Sequence, residues 1–187
     1  MLIRIKNFIK FDIYILIIFL FLFSSKCFPS DAYLSPHLKN PKVIGSGIYK
    51  WFGIKIYKAK LISDNAKFSI DNWKDYNFAL ELNYLKKLNG EKIAEASIDE
   101  INEFNIYPDD KKEQWLIKMK KIFPDVDKGS KLTGLFTTSG KVFFFLNKEI
   151  IGEILDKEFG VAFFSIWLSE KTSAPKFRKK LFNLKKD

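Results

Sequence analysis

The chain has 187 residues, of which 47% are apolar and 17% aromatic, with a formal net charge of +10, one cysteine and one histidine. That apolar content excludes a disordered chain; the lone cysteine and histidine exclude disulfide and thiol chemistry in the body and the usual zinc, copper or histidine-based catalytic sites. The charge is concentrated at the ends. Residues 1–27 carry four basic and one acidic side chain, residues 171–187 carry seven and one, and the 143 between them hold 21 basic against 20 acidic. A balanced body of this kind excludes a nucleic-acid partner.

The first element is the apolar block Ile13–Phe23, preceded by Arg4, Lys6 and Lys10 and followed by Ser24, Ser25, Lys26 and Cys27. This layout is that of a secretory signal peptide over residues 1–27, cleaved near Cys27. Its 11 apolar residues make about 16 Å of helix against the ~20 residues a bilayer core needs. Export to the periplasm is therefore expected, with an inner-membrane anchor as the alternative.

Residues 28–41 are polar and proline-bearing, and read as an extended lead-in. The remainder, 42–187, is long enough for one domain. Val43–Ser63 reads as two strands turning at Phe52-Gly53, with Tyr57, Ala59 and Leu61 alternating against lysines. A short strand is expected over Phe68–Ile70 and a clearer one over Asn77–Tyr84. The period then changes to 3.6: Ile93, Ala94, Ser97, Ile98, Ile101 and Phe104 form one helical stripe, and a second helix starts at Pro108 and stops at Pro124. Strands return over Lys131–Thr138, Val142–Leu146 and Glu149–Ile154, turning at Ser139-Gly140 and Asn147-Lys148. Asp156 suits the N-cap of a helix through Trp167, and Thr172-Ser173 opens a last helix. The order predicts an α+β fold with a mostly antiparallel sheet.

Few residues offer chemistry. His37 lies in the irregular lead-in, so it reads as a surface residue. Asp125–Ser130 begins like a calcium loop, but Phe136 stands where a bidentate glutamate is required. Gly45-Ser46-Gly47 lacks the third glycine and the helix of a dinucleotide site, and instead suits a bent strand or a close backbone approach. No cofactor or metal is expected. The basic C-terminal residues Lys176, Arg178, Lys179, Lys180, Lys185 and Lys186 read as a solvated helix face, with peripheral contact to an anionic membrane as the alternative.

Several phrases together resemble the chalcone isomerase-like family, in its exported bacterial branch. They are Val43-Ile44-Gly45-Ser46-Gly47, Ile56-Tyr57-Lys58-Ala59-Lys60-Leu61, Leu88-Asn89-Gly90-Glu91-Lys92-Ile93-Ala94, Phe123-Pro124-Asp125, Lys128-Gly129-Ser130, Gly152-Glu153-Ile154, Phe164-Ser165-Ile166-Trp167-Leu168 and Thr172-Ser173-Ala174-Pro175. They span about residues 42–184. The resemblance implies an open-faced β-sandwich, an antiparallel sheet with helices layered on one face and a cleft between them.

It does not bring the plant enzymes' catalytic set with it. The threonine falls near Phe52, the tyrosine at Ile93, the asparagine at Glu100 and the arginine nearest Ile48, with Lys50 two residues on. No catalytic residue is therefore assigned. Other members of the fold bind fatty acids through an arginine and a tyrosine, and here Lys50 and Tyr57 are the candidate ligand-binding residues. The expected function is an exported, non-catalytic domain that binds a fatty acid or other apolar ligand, or a protein partner. A cofactor-independent isomerase or lyase with a different residue set is the rival. The sequence names no oligomeric state.

Overall fold

In the computed structural model, residues 31–184 are described; the signal-peptide reading of residues 1–27, and Lys185 and Lys186, lie outside them. The described elements belong to a compact unit spanning Tyr33–Asp187, apart from the first turn, which begins at Ala32. Its strands are β1 (Lys42–Trp51), β2 (Ile54–Ser63), β3 (Phe78–Tyr84), β4 (Lys131–Phe136), β5 (Lys141–Leu146) and β6 (Glu149–Leu155). Its helices are α1 (Gly90–Asn102), α2 (Asp109–Ile122), α3 (Lys157–Leu168) and α4 (Pro175–Leu181). The strands form one sheet in sequence order, every neighbouring pair antiparallel.

Strand alternation divides the core into two. On β3, Phe78, Leu80, Leu82 and Tyr84 point into the main apolar cluster together with the helices, while Ala79 joins a smaller cluster on the opposite face. Period-2 geometry alone produces this split. On that second face Glu81 is almost fully buried and pairs with Lys60 at 3.3 Å.

The lead-in is not extended. A 3-10 turn at Ala32–Leu34 continues into a second turn closed by the Leu38 amide donating to the Leu34 carbonyl at 2.9 Å. Leu34 and Leu38 are thereby buried with Ile62, Leu135 and Phe145 on the second face. Two leucines four apart share one side of a helical turn, and the sheet supplied an apolar surface to cover. His37 lies beside the Phe143 ring there, centroids 4.5 Å apart.

Phe68–Ile70 also departs from expectation, for asparagine side chains capture the backbone groups a strand would use. The Lys67 amide donates to Asn65 Oδ1 at 2.8 Å and the Ser69 amide to Asn72 Oδ1 at 2.8 Å, a competition typical of these residue types. The chain turns into a 3-10 segment at Trp73–Asp75, and Phe68 and Trp73 are still buried.

Two of the sequence phrases meet in space. Asn89 caps α1, accepting from the Lys92 amide at 3.2 Å, while Asp125 Oδ1 accepts from Asn89 Nδ2 and the Gly90 amide at 2.8 and 2.9 Å. A Cβ at Gly90 would lie 2.2 Å from the Phe123 carbonyl oxygen. Only glycine permits α1 to start against the end of α2. The Gly45 reading resolves likewise: its missing Cβ would sit 2.4 Å from the Leu181 carbonyl oxygen, so the end of α4 rests on β1.

Candidate ligand-binding cleft

Between the sheet and the helices lies a cavity of about 330 Å³, at the lower end of the roughly 300–1,000 Å³ usual for small-molecule sites. Its floor is Tyr49, Ile56, Tyr57, Leu82, Tyr84 and Leu132 from β1 to β4. One wall is Ile93, Ser97 and Glu100, spaced along a single face of α1; another is Phe163, Ile166 and Trp167 on α3. The exposed lining residues Trp51, Lys92, Ala96 and Ser173 mark its open side.

The floor depends on a bulge. Trp51 pairs with Ile54 and Lys50 with Lys55, but the next pair is Tyr49 with Tyr57, so Ile56 is the extra residue. A bulge lets two successive side chains serve one face, and both Ile56 and Tyr57 line the cavity. It also stacks Tyr49 on Tyr57, with centroids 5.0 Å apart and planes at 14°.

The interior polar groups are phenols. The Trp167 indole Nε1 donates to the Tyr57 hydroxyl at 2.9 Å, which leaves the Tyr57 O–H proton available. The Tyr84 hydroxyl has no hydrogen-bond partner among the described residues, and no enclosed side-chain oxygen there lacks one, so this hydroxyl borders open cavity space. Burial pushes the Tyr57 phenol well above its ordinary value, offset in part by the Trp167 hydrogen bond. Burial likewise raises Tyr84 and, with Glu100 adding to it, Tyr49. All three keep their protons at neutral pH and act as donors, not bases.

Charge is confined to the open side. Glu100 Oε2 accepts from Ser173 Oγ at 2.7 Å, tying α1 to the link between α3 and α4. Lys92 pairs with Glu95 at 2.7 Å, and Glu95 also holds Lys120. Those two lysines lower the Glu95 carboxyl to about 2. Ser97 Oγ donates to the Ile93 carbonyl within its own helix at 2.8 Å, so its proton is engaged.

Of the residues singled out in the sequence, Tyr57, Ile93 and Glu100 come together around this cavity. Lys50 does not line it; its side chain is exposed on β1 opposite Lys55. Phe52 occupies the tip of the β1–β2 turn, and Ile48 is partly exposed on β1. Tyr49 and Tyr84 were missed. Tyr84 was legible in the alternation of β3 and Tyr49 in its two-residue spacing from Trp51, while the bulge that sets Tyr57 opposite Tyr49 is one that residue types do not announce.

A family model described as chalcone isomerase-like matches residues 35–183. No curated protein matches the sequence. Among solved structures, the crystal structure of a fatty-acid binding protein of Arabidopsis thaliana aligns with a TM-score of 0.62 and 12% sequence identity, over 76% of this chain and 87% of that one. At that identity the likeness is one of fold.

Proposed function

Because the chain belongs to the chalcone isomerase-like family, we propose that its cleft binds an apolar small molecule, that the domain does not catalyse an isomerisation, and that it works outside the cytoplasm. One observation carries the reading: a cavity of about 330 Å³ walled by aliphatic and aromatic side chains, whose interior polar groups are phenols with protons to donate. Apolar walls favour an apolar guest through removal of surface from water, and a few fixed donors orient it. That the Arabidopsis protein of the same fold is a fatty-acid binding protein supports this reading.

The buried part of the guest is neutral on this account. A carboxylate inside an apolar cavity needs a cation beside it, and among the described residues the one lining cation, Lys92, is exposed and paired with Glu95. The alternative, catalysis with a different residue set, meets phenols held well above their ordinary range. Those groups do not abstract protons near neutrality. Export rests on the basic, apolar and small-residue layout of residues 1–27, and sequencing the N-terminus of the protein recovered from cells tests it: a start near Phe28 supports export, and an intact Met1 favours the membrane-anchored alternative.

Organic extraction of the purified protein followed by mass spectrometry tests the binding. An apolar molecule co-purifying with the wild type and lost from Ala96→Trp is the expected result, since Ala96 is exposed at the open side and its enlargement blocks entry without touching the core. Equal recovery from both proteins, or none from either together with no uptake of a fluorescent long-chain alcohol, rejects the reading.

A further inference from the structure

We propose that the tip of the β1–β2 hairpin docks the protein onto an anionic lipid bilayer. The tip exposes Trp51 at 59%, Phe52 at 87% and Ile54 at 52%. The Trp51 and Phe52 rings meet edge to face, centroids 4.8 Å apart, so they form one apolar knob. Phe52 and Gly53 both have positive φ, 45° and 80°. Such a two-residue turn prefers Asn-Gly, and a bulky side chain in the left-handed region is an outlier. The fold therefore bears strain to hold an aromatic ring in water.

The charges beside the knob point to its partner. Lys50 and Lys55 face each other directly across the two strands, both exposed, and neither has an ion-pair partner among the described residues. Like charges directly opposite are unfavourable, and an anionic headgroup layer relieves them. Tryptophan at the edge of an apolar wedge, with lysines behind it, is the arrangement of an interfacial anchor. Three residues at a turn are far smaller than the roughly 800 Å² per partner of a stable protein interface, which favours lipid over protein. No described helix is long and apolar enough to cross a membrane. Trp51 also lines the open side of the cavity, so docking brings that opening to the lipid surface, whatever the cavity holds.

The test uses the chain from Phe28, which contains the whole compact unit Tyr33–Asp187 and omits the apolar block 13–23 as a rival anchor. Vesicles of mixed phosphatidylcholine and phosphatidylglycerol are compared with pure phosphatidylcholine by co-sedimentation and tryptophan emission. Trp73, Trp115 and Trp167 are at most 8% exposed, so a blue shift reports on Trp51. The expected result is binding with a blue shift on the mixed vesicles and weaker binding on the neutral ones. Phe52→Asn, which suits the turn better, should raise the melting temperature and still weaken vesicle binding by about tenfold or more. Lys50→Gln with Lys55→Gln should weaken binding on anionic vesicles only. Wild-type protein that stays in the supernatant overturns the proposal, as does unchanged binding by Phe52→Asn, which would move the contact to another surface such as the basic face of α4.

Discussion

Tyr57 and Tyr84 sit on the same cavity floor and face opposite constraints. The Tyr57 hydroxyl is the acceptor of the Trp167 indole, whereas the Tyr84 hydroxyl serves no protein group among the described residues. Tyr57→Phe therefore orphans a buried indole N–H and should destabilise the fold by about 1–3 kcal/mol in chemical denaturation. Tyr84→Phe should leave the melting temperature within error and weaken binding of a long-chain alcohol by about two- to tenfold, one hydrogen bond's net worth. On the proposed binding role, the Glu100 carboxylate at the open side should set the sign of selectivity there. Wild type should prefer a long-chain alcohol or methyl ester to the corresponding fatty acid at neutral pH, and Glu100→Lys should reverse that order in a competition assay; a wild type that prefers the acid would show that a cation reaches the site.

Asp156 joins two elements. Its Oδ1 accepts from the Glu158 and Phe159 amides at 2.9 and 3.1 Å, capping α3, while Oδ2 accepts from the Trp115 indole of α2 at 2.9 Å. Burial alone would raise this carboxyl, but the Trp115 and amide hydrogen bonds together with the Lys111 charge outweigh it and hold it below its ordinary value. A lowered folded-state value means that the unfolded chain binds the proton more readily. The stabilisation is thus present above the ordinary aspartate value of about 3.9 and lost as pH falls through the folded value. Melting temperatures from neutral pH downward should drop more steeply below about pH 4 for wild type than for Asp156→Asn, which still caps the helix without a titrating charge. At the other end of the sheet, Gly45→Ala forces a Cβ against the carbonyl of Leu181. It should detach the end of α4, seen as faster amide exchange over residues 177–184 with the exchange of β3 and β4 unchanged.

At the scale of the molecule, the segment before β1 is part of the fold. Leu34 and Leu38 are fully buried, so replacing either by alanine should cost about 2–5 kcal/mol in urea unfolding; a loss within error would mean that the second face needs no cover. The strands after Asp125, the two helices before it and the Asp156 cap were all readable, because period, turn residues and caps are local properties of the chain. The break at Phe68–Ile70 was not, since the apolar run reads as a strand while Asn65 and Asn72 take its backbone partners two to five residues away. The same division applies to function. The sequence by itself determined the family, the antiparallel sheet and the balanced charge of the body, all of which reside in residue types and their spacing. Only the tertiary structure decided that a bulge at Ile56 stacks Tyr49 on Tyr57, that the Tyr84 hydroxyl borders the cavity, and that Lys50 stands at a hairpin tip away from it. Those are outcomes of strand register, which places every side chain relative to partners far along the chain.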